Sequence, residues 1–264
     1  MIRNIKLVWM LVRMKLSHMM VFRLNFFSSF LIDGSMFLLE LLVFETLYGN
    51  VSSIGGWSRA EMIIFVGTFS MINALNMVIF FFGVLTIPEK IVTGELDHYL
   101  TKPMSPLLRI TFEQVTPGSI PLIAMSVLII GYGASQLEMA VTAGQVIGYV
   151  FLLILMTVLW YDMEVILRCL PFFFPSASAV ADQVEGDLIS LNFRVPGTLY
   201  KGIYKLIFYF IVPYGIMSTI PTQMLAGMLT PGGFAYGVGI VALFSFLTWL
   251  IWKQGLKHYK SASS

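Results

Sequence analysis

Charge is what this chain has least of: Asp, Glu, Lys and Arg make up 11% of 264 residues, against about 25% in an ordinary soluble domain. So few charges cannot solvate the surface of a globule. The 58% of hydrophobic residues, with a mean hydropathy of +0.85, point to a lipid solvent, which removes that requirement. A single cysteine, Cys169, excludes an internal disulfide and any cysteine-rich metal centre. The three histidines, His18, His98 and His258, are far apart, and there is no H-E-x-x-H and no G-x-x-x-x-G-K-[ST] phosphate loop. No catalytic residue set, metal site or nucleic-acid-binding pattern is read here. If the protein uses an energy source, that source sits in another chain. The net charge of +2 says little about partners; the placement of the charges says more. No polar stretch is long enough to bury a core of its own, so 1–264 reads as one membrane domain. The beginning, Ile2-Arg3-Asn4-Ile5-Lys6, mixes charge with apolar residues and reads as retained, not as a cleaved leader.

What is present is a set of long apolar runs. A spanning helix needs about 20 mostly apolar residues, and six stretches qualify, near 26–48, 61–86, 118–135, 143–167, 203–222 and 234–252. The expected fold is all-α and polytopic with six transmembrane helices. Cytoplasmic loops of membrane proteins are rich in Lys and Arg. With the N-terminus in the cytoplasm, fifteen of the sixteen Lys and Arg fall on that side, and only Arg59 falls outside. Both termini are therefore expected to be cytoplasmic. Ile2, Ile5, Trp9, Val12, Leu16 and Met19 recur at steps of three and four, one face of a helix. Beside them run Arg3, Lys6 and Arg13, so residues 1–24 are expected to form an amphipathic helix lying on the lipid interface. The alternative is a simple basic leader that sets orientation. The apolar connection Pro221–Gly233 is expected to dip back into the membrane.

Several polar residues lie within the spans. Asp33 and Glu40 are seven apart, on one helix face and separated by about 10.5 Å along the axis. Asn73 and Asn76 are three apart in the second span. Charged groups at this depth are costly and face a bundle interior or a wet cavity. Two readings stand side by side: a polar stripe lining a translocation path, or glue between helices. Glu164 and Arg168, four apart at the inner end of span four, suit a local ion pair at the interface.

The stretch after span two is the most specific. Gly94 breaks a helix leaving the membrane. Glu95 to Leu100 then forms a short helix with Leu96 and Leu100 on one side, and Pro103 ends it. A short, half-apolar helix of this kind suits docking into a partner's groove, although a solvated loop is the plainer alternative. Gly94-Glu95-Leu96-Asp97, Leu100 and Lys102-Pro103 resemble the G-x-L-D-x-x-L-x-[KR]-P signature of the ATP-binding-cassette type-2 permease family. Gly56-Trp57-Ser58 with Glu61, and Pro196, Tyr200, Pro213 and Pro221, resemble further stretches of it. The resemblance implies an exporter permease subunit with six spans in the plasma (inner) membrane. It also implies a second permease subunit, identical or different, and a cytoplasmic ATPase subunit that binds ATP and Mg, with no cofactor in this chain. Contact with the ATPase then falls to Gly94, Glu95, Leu96, Asp97, Leu100, Lys102 and Pro103. Asp33, Glu40 and Glu45 go beyond the family pattern and are expected to line the interior or the dimer interface, and Asp33, Glu40, Asn73 and Asn76 are the candidates for lining a path. Two other classes remain open: a secondary transporter with Asp33 and Glu40 as a proton relay, and a non-transporting membrane scaffold or immunity subunit.

Overall fold

The computed structural model describes residues 10, 23–174, 177, 186–187, 190 and 195–259. Among them there are helices and turns and no strand, apart from one isolated bridge between Ile54 and Trp57. The interfacial helix expected over 1–24 lies almost entirely outside the described residues. The first long helix, α1, is Arg23–Tyr48, and the second, α2, is Arg59–Ile79. Between them sits a tight corner. Gly55 and Gly56 take left-handed backbone angles, φ 62° and 84°, which fold Trp57 back under the chain. Trp57 is buried and meets Phe65 edge-on at 5.7 Å, and its carbonyl accepts from Tyr48 Oη at 2.9 Å. Ser58 then caps α2: Ser58 Oγ accepts from Glu61 N, and Glu61 Oε2 accepts from Ser58 N at 2.6 Å. Two otherwise orphaned donors are satisfied reciprocally.

After α2 the chain makes a helical turn, Phe81–Val84, and then three short helices: α3, Ile87–Thr93; α4, Asp97–Leu100; and α5, Pro106–Glu113. The long helices resume with α6, Ile120–Ser135, entered through the 3₁₀ turn Pro117–Ser119, and α7, Ala143–Arg168. α7 starts on a second capping box, Thr142 with Gln145. Then come α8, Gly202–Leu206, followed by the π-helical turn Ile207–Ile211, and the short helices α9, Tyr214–Met217, and α10, Thr219–Leu225. The last helix is α11, Pro231–His258, capped by Thr230 with Pro231 at its start, where a missing N–H costs nothing.

Among the described residues, four helices are long and apolar enough to cross a membrane: Arg59–Ile79, Pro117–Ser135, Ala143–Phe172 and Pro231–His258. The 21 residues of α2 run about 30 Å, the thickness of a bilayer's hydrocarbon. The stretch near 203–222, expected as a fifth span, is a bent pair of helices. Gly202–Ile211 and Tyr214–Leu225 meet at 79°. The break falls at Pro213, which has no N–H to continue the ladder, beside Val212 at φ −133°, ψ 77°. The count by length and apolarity is therefore four or five, against the six expected. α1 stands outside that count, because the side chains of 23–30 and 33 lie outside the description. The segment 221–233, expected to dip back, comprises the end of α10, a turn at Gly227 (φ 70°) and the start of α11.

The core is a layer in which α2 packs on α6 and α7, while α11 and α10 pack on α7. Helices in lipid have no hydrophobic drive toward each other, so small residues that let backbones approach become the determinant. A Cβ on Gly67 would stand 3.2 Å from Ile130 N, and one on Gly133 would stand 3.0 Å from Ile64 N. Ser126 Oγ donates to Ser70 Oγ at 2.7 Å across the same seam. Gly131, one turn face away on α6, would meet nothing within 4 Å. Gly133→Leu is therefore expected to abolish the monodisperse folded peak in detergent size-exclusion chromatography, while Gly131→Leu leaves it unchanged.

Candidate functional site

The short helices α3 to α5 form a platform at the end of the bundle opposite the Trp57 corner. α3 stops because Gly94 turns left-handed at φ 80°, a conformation that costs any other residue a steric penalty. The chain then doubles back, and Leu96 N donates to Lys90 O at 3.0 Å. Leu96 is completely buried. It stands with Phe80, Val84, Ile91, Ile110, Phe172 and Trp252 in a second apolar cluster, separate from the main core. Tyr99 is bracketed by two cations: Lys90 Nζ lies 5.2 Å and the Arg109 guanidinium 5.1 Å from the ring centre, within reach of a cation–π attraction. Each cation keeps a carboxylate at 3.9 Å, Lys90 with Glu95 and Arg109 with Glu113. Burial first, and Glu113 second, push the Tyr99 hydroxyl up to about 12, so it stays protonated across the physiological range.

The predicted docking residues separate into two groups. Leu96 and Leu100 were expected to share one side of a helix. In the fold α4 begins only at Asp97, with Leu96 as the residue before it, so Leu96 points into the cluster while Leu100 is 43% exposed. Gly94 sets the turn, and Asp97 is half-buried. Glu95, Leu100, Lys102 and Pro103 face outward together with His98 and Thr101. The surface on offer is therefore a rigid turn with one apolar and several polar groups, rooted by Leu96.

The four residues of the expected intramembrane stripe lie on α1 and α2. Asp33 lies on α1, with its side chain outside the description; Glu40 on α1 and Asn73 on α2 are half-buried. Asn76 is buried and turns to α7, where its Nδ2 donates to Glu164 Oε1 at 2.8 Å. Trp160 Nε1 donates to the same oxygen at 3.0 Å. Glu164 and Arg168, expected as a local pair at the interface, are both buried, and the Arg168 guanidinium lies 5.8 Å from the Phe81 ring centre. For Asn76 the geometry is that of glue between helices. Sequence reasoning missed the neighbouring links. Ser245 Oγ donates to Asp162 Oδ2 at 2.6 Å, fastening α11 to α7. Thr222 Oγ1 donates to Thr68 Oγ1 at 3.4 Å, and Thr68 Oγ1 shares a hydrogen bond with Tyr149 Oη at 3.0 Å, tying α10 to α2 and α7. The signal for them was the polar spacing of Asp162 and Glu164 in an apolar run; their partners are set only by tertiary packing.

A cavity of about 350 Å³ opens between α2, α5 and α7, walled by residues such as Leu75, Ile79, Leu108, Phe112, Ile154 and Val158. Its hydroxyls are already engaged: Thr111 Oγ1 with Leu107 O and Tyr161 Oη, and Thr157 Oγ1 with Leu153 O. It suits hydrocarbon and has no spare polar group among those three hydroxyls to orient a hydrophilic ligand. At the opposite end a cleft of about 490 Å³ is lined by Arg59, Glu61, Gln136, Glu138 and Ala226 among others.

The sequence profile of the family described as ABC-2 family transporter protein matches residues 35–263. No curated protein matches the chain significantly.

The Asn76–Glu164–Trp160 cluster makes a direct prediction. Asn76→Ala and Glu164→Ala each leave a buried polar group without its partner and are expected to lower stability by about 1–2 kcal/mol. Asn76→Asp, which sets a second carboxylate against the first, is expected to cost more. Thermal unfolding in detergent measures all three, and the double alanine variant is expected to lose less than the sum of the singles.

Proposed function

The chain belongs to the ABC-2 transporter family, and on that premise we propose that it is the permease subunit of an exporter that moves its substrate out across the plasma membrane, driven by a separate ATPase. It is an integral membrane protein and an ABC transporter permease; the direction, the partner and the arrangement in the membrane are our reading. In that reading α1 is the first of six spans, despite its carboxylates. The bent pair Gly202–Ile211 and Tyr214–Leu225 is the fifth span, and both termini are cytoplasmic, as the distribution of Lys and Arg favours. ATP and Mg are held by the partner ATPase. A second permease subunit completes the assembly.

The observation that carries the reading is the platform. Its motif residues form a turn whose root, Leu96, is inside the protein, while Leu100, Lys102 and Pro103 are presented outward. A rooted, rigid turn at the end of α2 is what a cytoplasmic partner needs if its movement is to reach the membrane. In this account ATP binding draws two ATPase subunits together and displaces the α4 turns. The displacement shifts the balance between inward-closed and outward-open arrangements of the spans. Such a shift requires that the partner bind the two arrangements with different affinity, and a mobile surface loop could not convey the difference.

The test is affinity purification of the tagged protein in mild detergent, with co-purifying chains identified and their ATPase activity assayed. Leu100→Glu combined with Lys102→Glu is expected to reduce recovery of the ATPase at least tenfold, the equivalent of about 1.4 kcal/mol, while leaving the thermal transition unchanged. Leu96→Ala is expected to lower the transition itself, by about 2–5 kcal/mol of stability, as for other large-to-small core changes. A protein that purifies alone, with flux that follows a proton gradient, would sink the reading and return attention to Asp33 and Glu40.

A further inference from the structure

Three stretches far apart in sequence meet beneath α4. Leu96 enters the second apolar cluster, where Phe80 and Val84 come from the end of α2, Val165 from α7 and Trp252 from α11. Phe172 joins them from the 3₁₀ turn Leu170–Phe172 that follows α7, and its ring is wedged into the last two turns of α11. It meets Trp252 edge-on at 5.6 Å and Tyr259 edge-on at 6.2 Å. Between these contacts the backbone of α11 comes so close that a Cβ on Gly255 would stand 2.3 Å from Phe172 Cδ2. The ring therefore sits in a notch that glycine alone leaves open. Just past the helix end, Tyr259 faces Asp97, the first residue of α4. Burial first, and the Asp97 carboxylate second, hold the Tyr259 hydroxyl above its ordinary pKa.

We propose that Phe172 is a positioning residue that carries displacement of α4 into α11, so that the last helix moves with the docking turn. The inference rests on the reading of 94–103 as the docking segment and extends it to a helix that the segment does not adjoin in sequence. The argument is steric. Leu96 is buried and Leu100 is not, so α4 is rooted on one apolar side chain, and that side chain ends in the cluster holding Phe172 and Trp252. Close-packed interiors transmit strain because they have few voids to absorb it. A ring seated against bare backbone at Gly255 has no flexible side chain between it and the axis of α11.

Cys169 is buried and is the single cysteine of the chain, so Cys169→Ser provides a background for paired spin labels at Ser52→Cys and Gly232→Cys. Both positions are exposed at the Trp57 end of the bundle. Pulsed electron paramagnetic resonance on the complex purified with its ATPase, with and without Mg-ATP, reads the distance between the corner and the start of α11. A nucleotide-dependent shift is expected in the parent and is expected to be lost in Phe172→Ala and in Gly255→Leu. Phe172→Leu, which keeps an apolar group in the notch, restores part of it, and Tyr259→Phe, which keeps the ring contact, retains it. Size-exclusion profile and ATPase recovery check folding and docking of each variant. If Phe172→Ala does not fold, Phe172→Leu decides, a reduced shift supporting the proposal and a full one overturning it. A parent complex with ATPase bound and no shift at α11, or variants that keep the full shift, overturns the proposal. A parent that recovers no ATPase overturns the docking reading, and the proposal falls with it.

Discussion

A carboxylate carried into an apolar medium is stable only where the protein supplies the donors that water supplied before. Glu164 is fully buried, and one of its oxygens accepts from Asn76 of α2 and from Trp160 of its own helix. The arrangement of the long helices depends on this requirement. Asp162 draws in Ser245 of α11, and Thr68 draws together Tyr149 of α7 and Thr222 of α10. Each link costs little when made and much when broken, because nothing in lipid can replace a lost partner. The helices thus take their register from polar contacts, although more than half of the residues are hydrophobic.

Packing follows where those contacts permit it. Gly67 and Gly133 bring α2 and α6 to backbone contact, and the Ser70–Ser126 hydrogen bond lies in the same seam. The break at Pro213 serves the same economy. It turns α9 and α10 inward, so that Ile216, Met217 and Ile220 join the main core where a straight helix would have carried them away. The freed backbone is not left open: Val212 N reaches Ile207 O at 2.8 Å through the π-helical turn, and Tyr209 O accepts from Tyr236 Oη.

Long apolar runs were legible because composition and length alone define them. α6 and α7 agree with expectation to within two residues, whereas α2 ends seven residues early and α11 runs six residues further than expected. The two capping boxes, Ser58 with Glu61 and Thr142 with Gln145, were also written in the sequence as S/T-x-x-E/Q. The interior of the candidate site was harder to read. Helical spacing places Leu96 and Leu100 together only if both belong to one helix, and the turn after Gly94 excludes Leu96. The spacing of Glu164 and Arg168 places them one turn apart on α7, but their burial is decided by what packs against them. Asn76 was read as able to bond across helices; its partner needed the third dimension. The bend of the fifth span hid in a single proline within a run of apolar residues, where hydropathy gives no sign of direction.

The corner between α1 and α2 bears on how such a chain enters a membrane. Arg59 is the one Lys or Arg that the proposed orientation places on the outer side, and Arg59 Nη2 lies 2.6 Å from Glu45 Oε2. Carried across alone during synthesis, a cation would move against an inside-negative potential at about 2.3 kcal/mol per 100 mV. In the proposed orientation, pairing with Glu45 makes it a neutral unit, which removes that electrical barrier for the hairpin tip. Tyr48, Trp57 and the Ser58 cap then close the tip on the far side. The same corner that fixes α1 against α2 in the finished protein thus makes the two helices a single insertable unit.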